Sequence, residues 1–256
     1  MRPCCRHLLP CLALIALWGP VAMAGMPLMS PVLVVDFEAQ TLGEAIGTGG
    51  PTQGQPVSSG MQNVVVSGEL DGQSLRVTDD LANRAVHMRF EFLDELEQRD
   101  GLLWISVQVK PEVADDFFIR LREYGTSAKN FGEVLVNSAG ALRVGDAAGD
   151  AGLVTAEGAV AVGTVHTIDW IHDLDAGTHS VSLDGVEVLS DRAHGIDTSA
   201  ATGRGIGALL VGFPTDADTD GVMHLDTIEV STSLSLEPIV EPIFKNSFEV
   251  EPEAAR

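Results

Sequence analysis

The chain has 256 residues, with 37 Asp or Glu against 15 Lys or Arg, for a formal net charge of −22. Such a field repels nucleic acid and anionic membrane surfaces and attracts cations. Hydrophobic residues make up 45% of the chain and recur in a regular pattern, which excludes a disordered acidic polypeptide.

The first 25 residues, MRPCCRHLLPCLALIALWGPVAMAG, read as a signal peptide. Arg2 and Arg6 precede an apolar run from Leu8 to Trp18, and Ala22-Met23-Ala24 supplies a small-residue cleavage site. Export is therefore expected, to the periplasm, the cell surface or the medium. The apolar run is shorter than the roughly 20 residues a spanning helix needs, so no transmembrane segment is expected in the mature chain. Cys4, Cys5 and Cys11 all fall within this leader. The mature chain is cysteine-free and must draw its stability from a core or from metal.

Beyond the leader, period-two alternation replaces helical periodicity almost everywhere. It predicts strands at 32–37, 63–67, 74–77, 87–93, 102–110 and 117–124. Further strands are predicted at 133–136, 142–144, 166–172, 180–183, 186–189, 206–212 and 223–231. Residues 43–60 and 145–163, rich in Gly with Pro or Ala, read as long surface loops. In HSVSLDGVEVL, Asp184-Gly185 separates two alternating runs by two residues, the signature of a type I′ hairpin. VNSAGALRV reads as a second hairpin around Ser138-Ala139-Gly140. Many short strands without intervening helices predict an all-β, two-sheet antiparallel sandwich over 32–232. The Pro- and Glu-rich residues 233–256 read as an extended tail.

The order of these elements resembles the concanavalin A-like, or laminin-G-like, jelly roll. The matching stretches are VVDFE, GELDGQSLRV, GLLWISVQVKP, GEVLVNSAGALRV, TVHTIDWIHDLDAGTHSVSLDGVEV and GVMHLDTIEV. The resemblance implies two curved antiparallel sheets and roles that include glycan binding, adhesion and the hydrolysis or lysis of polysaccharides. The tail segment IFKNSFE is similar to short IF-x-x-GFE motifs at the ends of exported bacterial proteins, with Ser247 in place of the glycine.

Catalytic chemistry finds little support in the residues. Glucanases of this fold carry E-x-D-x-x-E on one strand, and EFLDELEQRD lacks that spacing, so 91–100 reads as a solvated turn. The histidines show no H-E-x-x-H or comparable spacing, and no G-x-S-x-G elbow exists. A non-catalytic module for a polysaccharide or cell-surface glycan is the reading adopted. A hydrolase or lyase of the same fold, or a structural or adhesive envelope protein, stays open beside it.

Alternation places Trp104 and Gln108 on one face of their strand and Arg120, Arg122 and Tyr124 on one face of the next. If these strands are neighbours, the five residues form a single aromatic and arginine surface suited to acidic sugars. For cations, Asp216, Asp218 and Asp220 with Gly221 match the opening of a calcium loop. Thr227 stands where the loop's closing glutamate belongs, so these aspartates either hold an ion in an edge loop or form an acidic hairpin tip. Asp226 shares the parity of Ile228 and Val230, which predicts that it points towards the core. The jelly-roll resemblance implies a structural Ca2+ tied between the first and last strands, by Asp226 and Glu38.

Overall fold

The computed structural model describes residues 28–43, 56–58, 64–79, 86–124, 129–146, 149–196, 205–214 and 220–233. The leader, the acidic tail, Asp216 and Asp218 lie outside these residues. Strands β1 to β8 are Met29–Val35, Pro56–Ser58, Val64–Ser67, Gln73–Thr78, Val86–Glu91, Leu102–Val113, Phe117–Glu123 and Asn130–Val136. Strands β9 to β15 are Leu142–Asp146, Gly149–Leu153, His166–Asp173, Thr178–Leu183, Val186–Ala193, Ile206–Phe213 and Val222–Ser233. One short 3-10 turn, Leu93–Glu95, interrupts them, and no described helix is long and apolar enough to cross a membrane.

Every strand pair is antiparallel. Eight strands form one sheet in the order β13-β12-β11-β6-β15-β4-β3, with β1 also paired to β15. Seven form the other, in the order β10-β9-β8-β7-β14-β5-β2. The protein is thus an all-β, two-sheet antiparallel sandwich, as the alternation predicts, with the jelly-roll architecture that the resemblance implies. In β6, Leu103, Ile105, Val107 and Val109 are buried while Trp104, Ser106, Gln108 and Lys110 are half-buried. Phe90, Phe92, Leu121, Trp170 and Leu225 join them in one core that fills the space between the sheets. Each such side chain contributes about 1.5–3 kcal/mol on burial, which supplies stability without disulfides.

The turns follow their sequences. Asp184 (φ 52°) and Gly185 (φ 75°) are both left-handed, as a type I′ turn between β12 and β13 requires. Asn137 caps the β8–β9 turn: its Oδ1 accepts from Ala141 N–H, and its backbone oxygen accepts from Gly140 N–H.

Three expectations are corrected. The stretches 43–60 and 145–163 are not loops throughout, since they contain β2 and β10. Both strands are short, and neither has the long alternating run that marks a strand in sequence. The second correction concerns β6 and β7. They are consecutive but belong to different sheets, because residues 114–116 carry the chain across the sandwich. The third concerns Asp226. It pairs with Gln108, and Ile228 pairs with Val107, so two steps on β15 match one on β6. Thr227, at φ 42°, is the bulged residue. That insertion moves Asp226 out of phase with Ile228 and Val230, onto the outer face beside Gln108.

Candidate functional site

The outer face of the seven-stranded sheet can be built row by row from its register. One row runs His87, Gly212, Phe118, Leu135, Arg143 across β5, β14, β7, β8 and β9. The next runs Arg89, Leu210, Arg120, Glu133, Gly145. A third runs Glu91, Ala208, Arg122, Asn130. The central strand β14 presents only Ala208, Leu210 and Gly212, so arginines on β5 and β7 flank an apolar floor. Phe118, Ala208 and Leu210 form a small buried cluster of their own beneath these cations.

Two of the arginines are fixed by carboxylates. Arg89 Nε donates to Glu91 Oε1 at 2.8 Å, and its Nη2 donates to the backbone oxygen of Glu123. Arg120 donates through Nε and Nη2 to Glu133 Oε2, at 2.8 and 2.6 Å, while its guanidinium lies 4.1 Å above the Phe118 ring. Four arginines against Glu91 and Glu133 leave these rows at 4 − 2 = +2 in a chain whose net charge is −22. Burial, reinforced by Arg120, Arg122 and Arg89, pushes the His87 imidazole down to about 4. Burial and then the charges of Arg120 and Arg89 also lower Arg122. Glu123 acts in the opposite direction on Arg122 without reversing that shift.

Of the five residues expected to form one surface, Arg120 and Arg122 lie together here. Tyr124, two residues beyond Arg122, packs against Gly207 of β14. Trp104 and Gln108 do not join them, because β6 is in the other sheet and its outer face points away. There Trp104 is flanked by Ile171 and Ser231, and Gln108 by Thr167 and Asp226. Arg89 and Arg143 complete the cationic face around the uncharged His87 imidazole, and none of the three was among the expected site residues. Their alternation was legible, but alternation gives parity and not sheet membership.

A second locus lies on the rim of the eight-stranded sheet. Strand β15 shares one edge between β4, which pairs with Val222–Leu225, and β1, which reaches Ile228. Asp226 and Thr227 sit in the notch between these partners. Asp226 is 3% exposed, and its Oδ1 accepts from Thr227 N–H at 2.7 Å. Burial pushes its carboxyl up to about 6, and Glu38, Asp36 and Asp71 push in the same direction. Glu38 is oriented by Gln73, whose backbone N–H donates to Oε1 at 2.7 Å. Gly72, at φ 92°, lies so close that a Cβ there would collide with the Glu38 carboxylate. Among the described residues, no three ligating side chains converge closely enough to hold a metal by themselves. Calcium would fit only with main-chain or water oxygens filling its shell of six to eight. Asp220 is exposed at the entry to β15, six residues away.

His166 has a structural environment. Its Nε2 accepts from Ala161 N–H at 2.9 Å, so Nδ1 carries the proton and donates to Asp184 Oδ2 at 2.8 Å. The pair ties the β12–β13 turn to the start of β11 and, through Ala161, to the segment before it.

No protein-family model matches the sequence, and no curated protein matches it. Solved structures do. A sialidase superposes with a TM-score of 0.51 at 12% identity, over 70% of this chain and 17% of its own. Domain 4 of AbnA, a GH43 extracellular arabinanase from Geobacillus stearothermophilus solved with arabinotriose, gives 0.50 at 16% identity, over 80% of this chain and 93% of its own. The binding domain of botulinum neurotoxin serotype D gives 0.50 at 8% identity, over 80% and 47%. At these identities the likeness establishes the fold.

Proposed function

We propose that this chain is an exported, non-catalytic module that binds an acidic saccharide on the outer face of its seven-stranded sheet. The carrying observation is the placement of Arg89, Arg120 and Arg122 on the outer face of β5 and β7, on either side of the apolar Ala208 and Leu210 of β14. Guanidinium groups pair with carboxylates in bidentate geometry, and an apolar floor suits the hydrophobic faces of sugar rings. Glu91 and Glu133 already orient two of the arginines. The leader sequence supports a site of action outside the cytoplasm. The likeness to an arabinanase domain that was solved with arabinotriose supports this reading.

Hydrolysis or lysis is the weaker reading. Glu91 and Glu133 stand three strand spacings and one row apart, roughly 16 Å between their backbones, whereas paired glycosidase carboxylates lie roughly 5–9.5 Å apart. Each is also held by an arginine. The single tyrosine of the chain, Tyr124, is six residues along β7 from Phe118, the row of His87, about 20 Å away. A tyrosine and histidine acting on one sugar are thus not assembled on this face.

The test is retention of the mature protein on a polyuronate at low salt, with a neutral glucan as control. Retention that weakens with salt supports the proposal. Equal affinity for both polymers, or none for either, overturns it. Release of reducing ends or unsaturated products would favour the enzyme instead.

One observation favours a supporting role for calcium. Asp226, Glu38, Asp36 and Asp71 place mutually repelling carboxylates at the notch in β15, and a divalent cation there would relieve that repulsion. Its role would be to join β1, β4 and β15.

A further inference from the structure

The outer face of the eight-stranded sheet also resolves into rows, and their charge is opposite to that of the arginine rows. One row runs Glu229, Ser106, Asp169, Ser182, Glu187 across β15, β6, β11, β12 and β13. On one side of it lie Trp104 and Ile171, which pair in register. On the other lie Asp226, Gln108 and Thr167, with Asp184 accepting from Thr167 N–H. These three rows hold five carboxylates and neither lysine nor arginine.

The central row is open. Small serines alternate with its acids, so no neighbouring side chain in the row covers them. Asp169 is half-buried and Glu187 exposed, and neither has a hydrogen-bond or ion-pair partner among the described residues. Glu229 accepts only from the Ser231 hydroxyl, at 3.0 Å. The nearest cations on this face are held elsewhere, Lys110 by Glu69 at 2.8 Å and Arg76 by Glu112 at 3.2 Å. Beside the acids, Ile171 is 41% exposed and Trp104 half-buried.

The two outer faces share a period. Asp169 and Glu187 are separated by one strand, β12, which places them about 9.6 Å apart along the row. Arg89 and Arg120 are separated by one strand, β14, and stand at the same interval. Both arginines use Nε and Nη2 in their bonds within the molecule, which leaves each Nη1 as a further donor.

We propose that copies of this chain associate face to back, the arginine rows of one protomer seated on the acidic rows of the next. Arg89 and Arg120 meet Glu187 and Asp169 of the neighbouring copy, and the Trp104 ring gives a guanidinium a surface to stack on. The two patches differ, so the contact is heterologous and a stack can grow instead of closing at two.

The net charge of −22 opposes this, and distance decides which effect wins. Two stacked sandwiches have centres roughly 20 Å apart, two sheet-to-sheet spacings. The Debye length in about 0.15 M salt is about 8 Å, so whole-molecule repulsion is largely screened while ion pairs in contact are not. The rows cover roughly 24 Å by 20 Å, about 500 Å² a side. A standard interface takes about 800 Å² a side, so this one belongs among weak, reversible contacts. A saccharide would compete for the arginine rows, and association is therefore measured without one.

Sedimentation velocity of the mature protein, from low to high micromolar concentration in about 0.15 M salt, tests the contact. The sedimentation coefficient should rise with concentration, and about 1 M salt should suppress the rise. Asp169→Lys with Glu187→Lys spoils the acidic rows, and Arg120→Gln with Arg122→Gln spoils the arginine rows. Each double variant alone should associate at least tenfold more weakly than the parent. Mixed in equal amounts they should form a dimer and nothing larger, because each supplies the one face the other lacks. If the arginine variant does not fold, Arg143→Glu replaces it, since Arg143 is exposed on the same face. A parent that stays monomeric, a rise indifferent to salt, or a mixture of folded variants that fails to pair overturns the proposal.

Discussion

Asp226 pairs in register with Gln108 on the outer face of the eight-stranded sheet, although a single residue, Thr227, separates it from the inward-facing Ile228. The bulge turns a core-facing carboxylate into a rim-facing one, at the point where β15 changes partner from β4 to β1. A buried acid surrounded by Glu38, Asp36 and Asp71 destabilises the protein unless something positive offsets it.

That placement makes the consequence of Asp226→Asn depend on calcium. The amide keeps the Oδ1 acceptor for Thr227 N–H but removes the charge. In chelator the variant should be more stable than the parent by about 1 kcal/mol, the repulsion being partly screened by solvent at the sheet rim. In millimolar calcium the order should reverse, because only the parent gains from the ion. Thermal melts of both proteins, with calcium and with chelator, give the answer. A parent melting temperature indifferent to chelation removes calcium from the account.

On the seven-stranded sheet, Arg120→Ala and Arg122→Ala should each weaken binding to a polyuronate about tenfold or more. Trp104→Ala should leave it unchanged, since Trp104 lies on the opposite side of the sandwich. Affinity electrophoresis at two salt concentrations separates these outcomes. A Trp104 variant that loses binding while the arginine variants keep it would put the site on the wrong sheet.

His87 reports the same field from within. Its folded pKa of about 4 lies below the unfolded value near 6.5, so its contribution to stability is complete above pH 6.5 and is lost as pH falls towards 4. Burial is the larger cause and the arginines the smaller. Arg122→Ala should therefore raise the pKa without restoring the unfolded value. NMR titration of the His87 ring gives both numbers, and a shift that ignores the substitution would argue that the arginines are not close.

How much of this was legible in the sequence depends on what alternation can carry. It separates inward from outward residues, which is why Leu103, Ile105 and Val107 lie where their pattern puts them. It contains no record of which sheet a strand joins, so Trp104 and Arg120 looked like neighbours. A one-residue bulge reverses parity without changing composition, which hid the orientation of Asp226. The meeting of buried His172, His179 and His194 was hidden because pairing, rather than spacing, assembles it. A hairpin turning between Asp175 and Ala176 would have set His172 opposite His179, but His194 arrives from a third segment.

The Asp184 turn offers a test in which two roles of one side chain separate. Its backbone is left-handed, and its carboxylate accepts from Thr167 N–H at 2.8 Å and from His166 Nδ1 at 2.8 Å. Asp184→Gly frees the backbone but removes both hydrogen bonds, so a net loss of about 1–2 kcal/mol is expected. Asp184→Asn tolerates the same φ and keeps one acceptor oxygen, so its loss should be smaller. Asp184→Ala combines the missing acceptors with an unfavourable φ and should be the most damaging of the three.

Thr227 supplies the complementary case, a left-handed residue whose side chain does not help its backbone. A β-branched residue at φ 42° is strained by about 1–2 kcal/mol. Thr227→Gly relieves that strain at some entropic cost in the unfolded chain, and a net gain of about 0.5–1 kcal/mol is expected. Thr227→Ala retains a Cβ and should gain little. Urea denaturation of the two variants under chelator isolates the backbone effect from any ion. If Gly and Ala behave alike, strain at the bulge is not what the substitution relieves, and the bulge would then be held at little expense by Asp226 Oδ1 and the Thr227 N–H.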